Sequence, residues 1–197
     1  MCIRDSSEAV IIDSSFNHSG NDAVDLMTAR AHISGSTFVG NGDKGISVGE
    51  NSHLFAVDNC LIGNLIGVES KDHSTALLFN QTLKDNEIGL HAYRKNWRYG
   101  TGGTIFLAKS TVSGSDDPVS AKRESSIHLF DSYLDRPWAG KRITAIAVDG
   151  ESRVQATQVT VLPADTTTPA ISQALTSLPV ATLAQVVADR RTAICDG

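Results

Sequence analysis

Cysteine is scarce in this chain, and the three present, Cys2, Cys60 and Cys195, are scattered along 197 residues. An odd, widely spaced set matches neither a metal-ligand spacing nor a disulfide framework. Cys60 is therefore expected to be a small buried filler. Long apolar runs are missing too: no stretch approaches the roughly 18 residues of a membrane-spanning helix. Positive charge is in deficit, with 17 Lys and Arg against 22 Asp and Glu and a net charge of −5. That balance argues against general nucleic-acid binding, which needs enough cations to displace phosphate counterions. Charged residues make up only 20% of the chain and hydrophobic ones 41%, so one folded domain with a substantial core is expected. The opening Met1-Cys2-Ile3-Arg4-Asp5-Ser6 is too short and polar for a signal peptide. Residues 1–7 read as a non-native or truncated leader outside the repeat, with any export signal lost upstream.

What the chain does have is a beat. Val24, Ile46, Val68 and Leu90 follow one another at intervals of 22 residues. A fixed period of this size means one supersecondary unit stacked on copies of itself. Each copy carries a small residue, an aliphatic, an outward residue and a second inward position, as in Gly45-Ile46-Ser47-Val48 and Gly67-Val68-Glu69-Ser70. That alternation is a strand, not a helix. A second ladder, an aliphatic, then Ser or a polar or small substitute, then an apolar residue, recurs seven times. It reads Ile11/Ser14/Phe16, Ile33/Ser36/Phe38, Val57/Cys60/Ile62, Leu78/Gln81/Leu83, Leu107/Ser110/Val112, Leu129/Ser132/Leu134 and Val154/Thr157/Val159, in steps of 22, 24, 21, 29, 22 and 25. A solenoid takes up extra residues only at its turns, so the 29-residue step must hold a protruding loop, and the surplus falls in residues 93–103. Seven rungs at about 4.8 Å make a column on the order of 30 Å long. Beyond Val159 the beat stops. The solenoid is thus expected over residues 8–162. Residues 163–197 are expected to be a linker followed by a short helix, with Leu183, Val186 and Val187 on one face, which caps the column or begins a truncated domain.

These rungs resemble a right-handed parallel β-helix, the all-β solenoid fold of many secreted polysaccharide lyases, pectin-degrading enzymes, alginate epimerases and phage tailspikes. The rung Asn41-Gly42-Asp43-Lys44-Gly45-Ile46-Ser47-Val48 and its successor Ile66-Gly67-Val68-Glu69-Ser70-Lys71-Asp72-His73 are most similar to bacterial β-helix modules of large surface or exported proteins. The resemblance implies an extracellular or cell-surface location and a part in a larger multidomain protein. It implies no activity, because a fold does not carry one. The Arg-rich and Trp-Ile-Asp-His-like motifs of pectate lyases, the Asp pairs of polygalacturonases and the Asp-Pro-His-Asp segment of alginate epimerases are absent. Gly40-Asn41-Gly42-Asp43 resembles a fragment of a calcium-binding nonapeptide repeat. It occurs once where such motifs bind by recurring, so no metal is expected, with calcium the one candidate.

Stacking turns sequence columns into surface rows. The row Asp25, Ser47, Glu69, His91 and the row Thr28, Glu50, Asp72, Arg94 put carboxylates, a histidine and cations on one strip, with Lys71 beside Asp72. A lyase or epimerase of uronates needs that mixture: His91 or Lys71 as base, Arg94 on the substrate carboxylate, Glu69 or Asp72 to orient the base. The same charges would equally serve a solvated face of a purely structural spacer or adhesin array. The loop is the more distinctive candidate. From Ile88 to Ser115 there is no Asp or Glu, while Arg94, Lys95 and Arg98 alternate with Tyr93, Trp97 and Tyr99. Flat aromatics stack on sugar rings and cations meet carboxylates or sulfates. Trp138 sits in a second basic stretch, Arg136 to Arg142. The expectation is a module that binds an acidic polysaccharide.

Overall fold

The computed structural model of the protein describes residues 1–138, 148–161 and Cys195. The expected linker and helix of residues 163–197 lie outside the described residues, Cys195 excepted. The described chain is a parallel β-solenoid of about six turns, its strands gathered into three sheets of six, seven and seven strands. The first sheet stacks Cys2–Arg4, Val24–Met27, Lys44–Gly49, Ile66–Lys71, Ile88–Tyr93 and Asp117–Ala121. The second runs from Glu8–Ile12 through Arg30–Ser34, His53–Val57, Thr75–Phe79, Thr104–Ala108 and Ser126–Phe130 to Arg153–Thr157. The third begins at Ser15–Asn17 and ends at Thr160–Val161. The leader was expected to stand outside the repeat, yet Cys2–Arg4 pairs in parallel with the next strand and Ile3 enters the core.

Alternation sets the interior. Val24, Ile46, Val68, Leu90 and Val119 share one column, in register from strand to strand, and all are fully buried. Each such side chain contributes about 1.5–3 kcal/mol by leaving water. The glycine before Ile46, Val68 and Leu90 has a steric cause: a Cβ on Gly67, for instance, would stand 2.6 Å from the carbonyl oxygen of Gly89.

The second ladder needs correcting at two rungs. In the third turn the pairing is Ala56 with Ile33 and Leu61 with Phe38, so Ala56/Asn59/Leu61 replaces Val57/Cys60/Ile62. In the last, Ala156 pairs with Leu129 and Val161 with Leu134, so Val154/Thr157/Val159 shifts by two. A one-residue slip exchanges the faces of a strand, and so Asn59, not Cys60, takes the inward polar place. There it accepts from the Ser36 amide at 2.9 Å and donates to the Ile33 carbonyl and to Gln81 Oε1. A parallel ladder runs Asn41, Asn64, Asn86, each side chain bonded to the next at 2.7 and 2.9 Å. These ladders satisfy the buried corner amides that a sheet cannot reach.

Cys60 is consequently turned outward, and it is nevertheless buried, because it forms a disulfide with Cys195. The expectation of a lone filler cysteine is overturned. Cys2 is the free cysteine.

Candidate functional site

The strip on the first sheet assembles as its 22-residue spacing predicts, with Glu69 paired to Ser47 on one side and His91 on the other. Glu69 Oε2 lies 3.1 Å from His91 Nδ1, and its Oε1 accepts from Lys71 Nζ at 2.9 Å. Lys71 also donates to Ser47 Oγ at 2.6 Å, leaving its side chain only 9% exposed. Lys44 joins from the strand before. Its ammonium reaches Asp43 at 2.5 Å, Asp22 at 3.3 Å and Glu69 at 3.9 Å. Burial pushes the Glu69 carboxyl up, but the His91 hydrogen bond and the charges of Lys71 and Lys44 outweigh it and hold it below the ordinary glutamate range. Burial, helped by the Glu69 charge, pushes the Tyr93 phenol up to about 12. Its ring stacks on His91 with centroids 4.8 Å apart and planes 5° from parallel. Glu69 thus holds the Nδ1 edge of His91 and Tyr93 covers one face of its ring, while acid and base within the network neutralise each other.

Asp72 is buried and works on the backbone. Its Oδ1 accepts from the amides of Lys95 and Asn96, both at 2.7 Å, so it fastens the start of the protruding loop. Arg94, expected to face a substrate carboxylate, donates to the Gly100 carbonyl at 2.8 Å and pairs with Glu124 on the next turn. It clasps the loop shut. At the far end Gly103 returns so close to the preceding turn that a Cβ there would stand 2.0 Å from the Ser70 carbonyl oxygen. Between these fixed points Trp97–Tyr99 forms one turn of 3-10 helix, with Asn96 accepting from the Arg98 amide as its cap.

The outcome is a loop fastened at both ends whose tip faces solvent. Trp97 is 84% exposed, Lys95 and Arg98 are exposed beside it, and the Arg98 guanidinium lies 5.9 Å from the Tyr99 ring centroid. Trp138 behaves differently, being partly buried against the core. The two rows therefore have different work: Glu69, Lys71, His91 and Tyr93 form a fastened charge network, Asp72 and Arg94 hold a loop, and Lys95, Trp97 and Arg98 are the groups offered outward. Lys44 and Asp22 were missed from the sequence, although a Lys and an Asp 22 residues apart were a readable signal. Within Gly40–Asp43, Asn41 is committed to the interior ladder and Asp43 to Lys44. Among the described residues no helix is long and apolar enough to cross a membrane.

A family model described as a right-handed β-helix region matches residues 1–133, the first strand included. No curated protein and no solved structure matches the chain.

Proposed function

The chain belongs to the right-handed β-helix family, and on that premise we propose that it is a module that binds an acidic polysaccharide, with the 94–103 loop as its principal contact. The observation that carries this reading is the exposure of Trp97 between Lys95 and Arg98 on a loop held at both ends by Asp72, Arg94 and Gly103. An exposed flat ring flanked by cations offers a stacking surface for a sugar ring. Its neighbours are cations without an acidic residue from Ile88 to Ser115, which suits carboxylate or sulfate groups on a sugar chain. Because the loop is already fixed, little ordering entropy opposes binding. The Cys60–Cys195 bridge supports an extracellular or cell-surface location, since disulfides persist in oxidising compartments.

Catalysis by the strip has less behind it. Lys71 is committed to Glu69 and Ser47, Arg94 to Glu124, and the His91 side chain is only 14% exposed.

Retention of the wild type on immobilised alginate, pectin and sulfated glycans tests the reading. Trp97→Ala with Arg98→Ala should weaken binding to the retaining glycan by about 2 kcal/mol or more, roughly thirtyfold, and added salt should weaken the wild type. A wild type that none of these glycans retains would leave the solenoid as a spacer or adhesin array. Retention unchanged in the double variant would remove the loop from the site.

A further inference from the structure

Where the first sheet turns into the second, successive corners stack along the column, and the 94–103 loop is the enlarged corner of one turn. Three turns toward the N-terminus the same edge holds a groove of about 270 Å³, lined by Ser6, Glu8, Thr28, Arg30, Asn51 and His53. Its floor is tied between turns: the Ser6 amide donates to the Thr28 carbonyl at 2.6 Å, Arg30 to Ser7 at 2.9 Å and His53 to Ala29 at 2.9 Å.

The charges in this groove stand in an unusual arrangement, with opposite signs in register and unpaired. Glu8, Arg30 and His53 are in register on three consecutive strands, so their Cα atoms step by about 4.8 Å. Opposite charges directly across a strand pair ordinarily close on each other. Between successive turns of this solenoid Lys44 closes on Asp22, Arg94 on Glu124 and Lys109 on Asp131. Glu8 and Arg30 do not, and neither they nor His53 has a side-chain hydrogen bond or ion pair among the described residues. All three are exposed at the groove.

We propose that this groove is a binding subsite for a single carboxylate-bearing sugar unit. Arg30 supplies a planar fork matched to a carboxylate. Glu8 accepts from sugar hydroxyls, and Thr28 and Asn51 offer the mixed donors and acceptors that a polyhydroxylated ring needs. The volume lies just below the usual range for small-molecule sites, which limits the occupant to about one ring. The subsite deepens the polysaccharide reading and rests on it for its context. Arg30 and the loop lie on one edge, three strand spacings or about 14 Å apart, so one acidic chain running along that edge meets both.

Amide chemical shifts of the labelled full chain, titrated with D-galacturonate and with D-galactose, test the proposal. Galacturonate should shift the amides of Thr28 to Arg30 and Asn51 to His53, and galactose should bind there about tenfold more weakly. Arg30→Ala should weaken galacturonate about tenfold or more while leaving amides of distant turns unmoved, and Arg30→Lys should restore part of the loss. If galacturonate leaves those amides of the wild type unshifted, or binds Arg30→Ala equally well, the subsite is refuted. If the polymer binds through Trp97 and Arg98 without shifting the groove, the subsite falls and the loop reading stands. If the groove responds to galacturonate while no acidic polymer is retained, the loop reading falls and the subsite stands.

Discussion

Replacing Glu69 with alanine should destabilise the solenoid by about 3–5 kcal/mol, the usual result of leaving a buried charge without its partner. The carboxylate is the hub of the strip. It accepts from Lys71 and His91 and lies within 4 Å of Lys44. Lys44 would keep Asp22 and Asp43. Lys71 would keep only the neutral Ser47 hydroxyl, which cannot balance an ammonium so thoroughly removed from water. Glu69→Gln should cost less, because the amide oxygen still accepts from one donor. The same carboxyl sets an acid limit. Its folded-state pKa is depressed, so its contribution is complete above the ordinary unfolded value of roughly 4.3 and disappears as the pH falls through the lowered value. The gap in urea midpoint between wild type and Glu69→Gln should therefore narrow between pH 7 and pH 3. A Glu69→Ala midpoint equal to that of the wild type at pH 7 would show that the network stores no stability.

Loss of the Cys60–Cys195 bridge should have an effect of similar size. The two cysteines are 135 residues apart in sequence. In the chain-entropy description, closing so long a loop restricts the unfolded chain strongly, by up to about 5 kcal/mol, although measured bridges usually give about 2–4 kcal/mol. Cys60→Ser and Cys195→Ser should each unfold at the denaturant midpoint of the reduced wild type, well below the oxidised wild type. Cys2, on the first sheet, is the single thiol expected to react in the native oxidised chain, against three after reduction. Identical midpoints with and without reductant would show that the bridge does not restrain the fold.

The parts of this structure that repeat were legible in the sequence, and the parts that break the period were not. Val24, Ile46, Val68 and Leu90 fell on one buried column because nothing is inserted between them, and the Glu69–His91 contact follows from the same 22-residue step. The third turn misled because Ala56 is a weak apolar marker beside Val57, and because Cys60 resembles serine in size while Asn59 does the serine's work. Arg94 finds Glu124 at a separation of 30 residues, a step lengthened by the loop itself, so no column pointed to it. Lys44 lies before the alternating stretch, in register with Ile66 and Ile88, and reaches Glu69 through the length of its side chain rather than by position. The disulfide carries no period at all. The groove of Glu8, Arg30 and His53 combines steps of 22 and 23 across a corner, and only the absence of pairing there marks it out.

Trp97 provides the most direct measurement of polysaccharide binding by the loop. Its indole is exposed while Trp138 packs on the core, so iodide quenching of tryptophan fluorescence in a Trp138→Phe background reports the loop alone. Titration with acidic oligosaccharides of alginate, pectin and heparin type should shift the emission to the blue and protect Trp97 from iodide with at least one of them, whereas neutral oligosaccharides should do neither. An emission and an iodide sensitivity that stay unchanged through saturating concentrations of all three acidic classes would contradict it.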